Sequence, residues 1–264
     1  MRLFRALTLW GALPLLAQSG TLVIAGGGAL PDRITQTFVE ASGGKGARIA
    51  VFPTASGEAA RAAAASVDRL KALGATCVVL DPRTRPQAEA CIPDLEGCTG
   101  IWFTGGDQKR IHDLIVGTGL HKALLQAYQK GAAIGGTSAG AAVMSRLMLA
   151  GQADVSETAP GTYRTLEGLG LLPGCIVDQH FLRRSRHNRL LSLLMEHPDH
   201  LGLGIDEETA VVVRGRTFKV VGNGRVLVMD PAALKTARGT FQDLRLHLLG
   251  EGQGLDLQTR RVTE

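Results

Sequence analysis

Ala132-Ala133-Ile134-Gly135-Gly136-Thr137-Ser138-Ala139-Gly140-Ala141-Ala142 decides how the rest of this chain is read. A short apolar run, 132–135, leads into a turn bounded by glycines and then into an alanine-rich stretch. The pattern is G-x-S-x-G set between a strand and a helix, the context that separates a nucleophile elbow from an ordinary Gly/Ser turn. Small neighbours permit the tight turn that lifts the Ser138 hydroxyl over the end of a sheet. The helix N-terminus behind it favours developing negative charge. The amide of Ala139, one residue past the serine, is placed to donate to an oxyanion.

Outward from the elbow, strand and helix alternate. Apolar runs at 21–25, 48–52, 76–80, 100–103 and 132–135 predict buried parallel strands. Helical patterns separate them at 32–41, 58–73, 109–115, 122–130 and 139–150. Such alternation predicts an α/β fold, a doubly wound, mainly parallel sheet with helices on both faces. Beyond Gly202 the pattern changes to closely spaced runs at 209–213, 217–221 and 225–228, joined by turns such as Gly222-Asn223-Gly224. These predict an antiparallel C-terminal extension of the same sheet. No repeat or long linker divides residues 20–264, so a single domain is expected.

Composition excludes several classes. Of 264 residues, 45% are hydrophobic and 20% charged, too apolar for a disordered chain. No apolar run reaches the ~18 residues that a membrane-spanning helix requires. The net charge of +5 is mild, and only 4% of residues are aromatic, which argues against a nucleic-acid partner. The first nineteen residues read as an export signal. Arg2 and Arg5 precede the apolar stretch 6–16, and Ala17-Gln18-Ser19 supplies small residues at a cleavage site before Gly20. Export to the periplasm or the medium is therefore expected. In that oxidising setting Cys91 and Cys98, bracketing a short loop, would pair where geometry permits. Cys77 reads as a small core residue and Cys175 has no visible partner. No cysteine or histidine spacing suits a metal, the stretch His197-Pro198-Asp199-His200 reads as a polar loop, and no cofactor is implied.

A serine nucleophile needs a base, and the base needs an orienting acceptor. His180 lies in Ile176-Val177-Asp178-Gln179-His180-Phe181, an apolar strand end turning polar, where α/β sheets place functional groups, although a hydrogen-bonded core histidine would look the same. His112, His121 and His247 read as surface residues. For the acceptor, Asp206, Glu207 and Glu208 end another run, and spacing alone does not choose among them. The order Ser, His, acid departs from the Ser, acid, His order of α/β-hydrolases and disfavours an ordinary esterase. The glycine pair in Phe103-Thr104-Gly105-Gly106-Asp107-Gln108 is either a simple loop or a source of oxyanion amides. Arg183, Arg184, Arg186 and Arg189 crowd cations at a predicted helix start, where the dipole is unfavourable to them. That cost suggests anion recognition, since guanidinium forks hold carboxylates in pairs of hydrogen bonds. The expected partner is a carboxylate-rich peptide.

Four of these segments together resemble the cyanophycinases, serine peptidases related to aspartyl dipeptidase (peptidase E). They are 103–108, 135–142, Asp178-Gln179-His180-Phe181 and Gly204-Ile205-Asp206-Glu207-Glu208-Thr209-Ala210. The resemblance implies a flavodoxin-like fold of the class I glutamine-amidotransferase type, usually as a homodimer. It implies cleavage of cyanophycin, a polyaspartate with arginine on its side-chain carboxyls, to β-aspartyl-arginine. It further implies Ser138 as nucleophile, His180 as base and Glu207 as its acid, with backbone amides near Gly106 and at Ala139 forming the oxyanion hole. Gln108, Asp178, Gln179, Arg184, Arg186 and Arg189 match the family's substrate pocket. Ser185, His187 and Asn188 stand where the family has Gly, Leu and Gly, so the pocket's shape is in question while the arginine register is kept. Two rival expectations are an exported dipeptidase acting on Asp-X or β-aspartyl peptides and a non-catalytic carboxylate binder.

Overall fold

The first strand, β1 (Thr21–Ala25), runs through the middle of a nine-stranded sheet, and Leu22, Val23, Ile24 and Ala25 are completely buried. Burial on both faces explains why its sequence is apolar without alternation. The computed structural model describes residues 20–151, 157–237 and 240–264; the proposed leader, 1–19, lies outside them. Strands β2 (Arg48–Phe52), β3 (Thr76–Val79), β4 (Gly100–Phe103) and β5 (Ala133–Thr137) join β1 in the parallel order β1-β5-β4-β2-β3. Between them come helices α1 (Asp32–Ala41), α2 (Ala59–Ala72), α3 (Arg85–Ala90), α4 (Gln108–Ile115) and α5 (Gly119–Gln129). Capping explains where three of them begin: side chains of Thr84, Asp107 and Thr118 accept from the amides of Gln87, Lys109 and His121.

After β5 comes α6 (Ala139–Ala142), then β6 (Leu147–Leu149), β7 (Thr165–Glu167), β8 (Cys175–Gln179), α7 (His187–Glu196) and β9 (Leu201–Ile205). The C-terminal part adds β10 (Thr209–Arg214), β11 (Thr217–Gly222), β12 (Val226–Asp230), β13 (Lys235–Ala237), β14 (Thr240–Gln242), β15 (Arg245–Leu249), β16 (Gly254–Asp256) and β17 (Arg261–Thr263). β10 pairs antiparallel with β1, and β11, β16 and β17 continue that edge. A second sheet, ordered β15-β12-β9-β8, packs on one face of the first. Their shared core joins Leu22, Ile24 and Phe103 to Leu203, Ile205 and Val228. On the opposite face, α1 and α2 cover Val23, Val51 and Trp102. α7 closes the outer face of the second sheet through Leu190, Leu193 and Leu194.

Three expectations are corrected. The helix expected at 139–150 stops at Ala142, because the carbonyls of Val143 and Met144 accept instead from the amides of Leu169 and Leu172. The run expected at 225–228 does not extend the main sheet; it becomes β12, paired with β9 and β15. The Gly222-Asn223-Gly224 turn makes that crossing, with the Gly224 amide donating to Thr209 Oγ1 at 2.8 Å. Cys91 and Cys98 are free thiols, as are Cys77 and Cys175. Cys98 Sγ lies 3.4 Å from the Asp94 carbonyl, inside the turn that separates the pair. Burial pushes both thiols above their ordinary value, and that of Cys175 to about 12.

Candidate active site

Ser138 follows β5 directly, with φ 54° and ψ −110°, a conformation rare for a residue with a side chain. The turn is that tight because two backbones touch. A methyl group on Gly140 would lie 2.3 Å from the Phe103 carbonyl oxygen, and one on Gly136 would lie 2.5 Å from that of Gly140. The glycine pair after β4 closes the other wall, since a Cβ on Gly105 would stand 3.3 Å from Ser138 Cβ. Gly106 lies in the same loop, held by the Asp107 amide on the Ala55 carbonyl at 2.9 Å.

His180 comes from the second sheet, one residue past β8, at φ 49°. Its Nε2 is 2.9 Å from Ser138 Oγ and its Nδ1 is 2.7 Å from Glu207 Oε1. Glu207 sits in the turn between β9 and β10, where the chain passes from the second sheet to the first. The three neighbouring carboxylates thus separate by task. Asp206 Oδ1 accepts from the Arg183 amide at 3.0 Å, and Glu208 Oε2 from Asn223 Nδ2 at 2.9 Å, leaving Glu207 to the histidine.

The electrostatics divide the pair. Burial lowers the proton affinity of His180, the Glu207 hydrogen bond opposes this, and Arg184 and Arg186 lower it further, with a net shift below the ordinary histidine value. The hydrogen bond from His180 holds Glu207 below the usual carboxylate range. At neutral pH the arrangement is therefore a neutral imidazole oriented by an ionised carboxylate, with a hydroxyl at its free nitrogen. That is the condition for removing a proton from Ser138.

The arginine segment splits into buried and open parts. Arg189, in α7, puts its fork on Asp178: Nε is 2.6 Å from Oδ2, and Nη2 bonds Oδ1. Both side chains are buried, so this pair is an internal strut. Arg186 Nη1 donates to the Gln179 carbonyl at 2.6 Å and to Gln179 Oε1 at 2.8 Å, and burial lowers its pKa to about 10. Arg183 and Arg184 are exposed. Gln108, at the start of α4, donates to the Leu149 carbonyl at 2.9 Å.

Sequence reasoning missed Gly26-Gly27-Gly28, the run that ends β1. The carbonyls of Gly26 and Gly27 accept from the amides of His180 and Glu208, at 2.8 and 2.9 Å. Gly27 has φ 113°, and a methyl there would lie 2.3 Å from His180 Cε1. The run is the shelf on which the imidazole rests, and three glycines closing a buried strand were its signal. The histidines read as surface residues are half-buried; His112 and His121 have ring nitrogens 2.7 and 3.0 Å from the carbonyls of Glu167 and Leu169. Among the described residues no cluster of three or more His, Cys, Asp or Glu side chains could hold a metal ion, and no helix is long and apolar enough to cross a membrane.

Residues 21–221 match peptidase family S51, which covers all the loops just described. The chain belongs to that family. As an S51 member it is a serine-type peptidase. It is 37% identical over 243 residues to the cyanophycinase of Trichormus variabilis, covering 87% of this chain and 82% of that one. With the cyanophycinase of Geminocystis herdmanii the identity is 39% over 242 residues, covering 86% and 89%. Among solved structures, a peptidase from an acI-B1 actinobacterium superposes with a TM-score of 0.71 at 23% identity, covering 91% of this chain and 98% of its own. A putative peptidase E from Listeria monocytogenes superposes with a TM-score of 0.56 at 18% identity, covering 78% and 99%. The two superpositions bear out the expected peptidase E-like α/β fold.

Proposed function

We propose that this S51 peptidase hydrolyses cyanophycin to β-aspartyl-arginine dipeptides, with Ser138 as nucleophile, His180 as general base and Glu207 as the acid that orients it. The observation carrying this reading is the pair of consecutive hydrogen bonds, 2.7 and 2.9 Å, that ends on a serine held in an elbow. The substrate follows from the identity with the cyanophycinases named above. Glu207 accepts Nδ1–H, which leaves Nε2 to take the Ser138 proton as Oγ attacks the scissile carbonyl. The resulting imidazolium is stabilised by the ionised glutamate. Backbone amides at Ala139 and near Gly106 receive the tetrahedral oxyanion. Collapse gives an acyl-enzyme and releases the leaving amine, protonated by His180; water activated by the same ring then frees the acid. Arg184 is the guanidinium we assign to a substrate carboxylate, being exposed and close enough to depress His180. Gln108 and the Gln179–Arg186 pair shape the same pocket, and Asp178–Arg189 holds it from behind.

The substrate test is incubation with purified cyanophycin, wild type beside Ser138→Ala, with products followed by mass spectrometry. We expect β-aspartyl-arginine from the wild type and a turnover lower by roughly 10⁶-fold in the variant. A wild type that reacts with a fluorophosphonate at Ser138 yet leaves cyanophycin intact would move the substrate to other β-aspartyl or Asp-X peptides. We also propose export with removal of residues 1–19, and a homodimer. Intact Met1 on protein recovered from cytoplasm would refute the first, and a monomeric mass in light scattering the second.

A further inference from the structure

Glu207 is held less firmly by its own side chain than by the backbone beneath it. The side chain is 31% exposed, and among the described residues its carboxylate bonds only His180. No second hydrogen bond steers it, so the carboxylate stands where the turn between β9 and β10 puts it. That turn is strained. Glu208 has φ 56°, a conformation that a residue with a side chain keeps only where its surroundings hold it.

The hold is a buried hydroxyl. Thr209, the first residue of β10, is completely buried. Its Oγ1 donates to the Glu207 carbonyl at 3.0 Å and accepts from the Gly224 amide at 2.8 Å. One hydroxyl thus ties the turn that carries Glu207 to the turn between β11 and β12. The fit is close: a Cβ on Gly224 would lie 2.6 Å from Thr209 Oγ1 and 2.9 Å from the Glu207 carbonyl oxygen. Further out, Asn223 joins the same two turns. Its amide and its Nδ2 donate to the carbonyl and Oε2 of Glu208, each at 2.9 Å, and Arg33 of α1 donates to Asn223 Oδ1. These outer side chains are exposed, so water can replace their bonds; the threonine bridge is sealed, and losing its hydroxyl leaves the Gly224 amide without an acceptor.

We propose that Thr209 is a positioning residue: its hydroxyl fixes the backbone from which Glu207 reaches His180, and so orients the imidazole without touching substrate. The inference rests on the proposed Ser138–His180–Glu207 triad.

The test compares full-chain wild type with Thr209→Val, Thr209→Ser and Gly224→Ala, each also made in a Glu207→Ala chain. Rates and their pH dependence are read on cyanophycin and, independently of substrate, on fluorophosphonate labelling of Ser138. Thr209→Val should lower kcat about 10-fold with KM within about two-fold. Glu207 raises the proton affinity of His180. A displaced carboxylate lets that affinity fall, while Arg184 and Arg186, which lower it, stay in place. The acid limb of kcat/KM should therefore move to lower pH. Thr209→Ser keeps the hydroxyl and should restore both rate and limb. Gly224→Ala crowds the bridge from an accessible turn; it should reproduce the valine signature, and it carries the test where Thr209→Val does not fold. In the Glu207→Ala chain no carboxylate is left to position, so either change should slow labelling by less than about two-fold more. The same loss in that chain as in wild type, or a lower rate with the acid limb in place, would make the threonine merely structural and overturn the proposal. So would wild-type rates in both Thr209→Val and Gly224→Ala. A Glu207→Ala chain as fast as wild type would instead overturn the triad itself.

Discussion

The two halves of the proposed active site are built by different physics. The nucleophile half is backbone and van der Waals contact: a serine between glycines, on a strand buried on both faces, with no charged group needed to hold it. The base half is polar throughout. His180 and Glu207 come from the ends of two strands of a separate sheet, behind which a buried Asp178–Arg189 pair braces β8 against α7. A turn made of small residues is local and does not titrate. A relay of ionisable groups is assembled from distant segments and depends on the charge state of each member.

Glu207→Gln breaks the comparison most directly, because it keeps the shape of the base half and removes its charge. It should lower kcat about 10⁴-fold with a small change in KM, as expected when a histidine loses the partner that sets its tautomer. Gly27→Ala attacks a place where the base half depends on close contact, and steady-state rates should fall about 10²-fold as the ring is displaced. Arg189→Met leaves a buried carboxylate without its fork and should cost about 3–5 kcal/mol in urea unfolding; Asp178→Asn in the same chain should recover part of the loss. Arg184→Gln is the mildest and the sharpest. A cation beside His180 disfavours the imidazolium, so its removal raises the histidine's pKa. The acid limb of kcat/KM should therefore move to higher pH, whereas an arginine that served binding alone would change KM and leave the limb in place.

The same division explains what was legible in the sequence. Parallel strands buried on both faces read as plain apolar runs, so β1, β2 and β4 were found to the residue and β5 within two. The Ser138 elbow was legible because five adjacent residues encode it. The 139–150 stretch was misread because its first part, 139–145, is buried on all sides and has no period, and alanine favours a helix wherever tertiary bonds do not intervene. The second sheet was invisible for a different reason. Nothing in 225–228 states that its partners are 201–205 rather than 217–222, since pairing is decided by a turn and by what packs beneath. Elimination among Asp206, Glu207 and Glu208 likewise needed coordinates, because each differs from the next only in the direction its turn gives it.

The turn that carries Glu207 has a consequence in time. Ribosomes deliver the serine within the first 140 residues, and a chain folding from its N-terminus can shape the elbow early. The histidine follows some forty residues later, and its acid arrives on the link that seats β10 against β1. Until that late strand closes beside the earliest one, the hydroxyl has no oriented base. On the proposed triad, a peptidase assembled in this order would gain its base only once the chain is nearly complete, a latency set by chain topology.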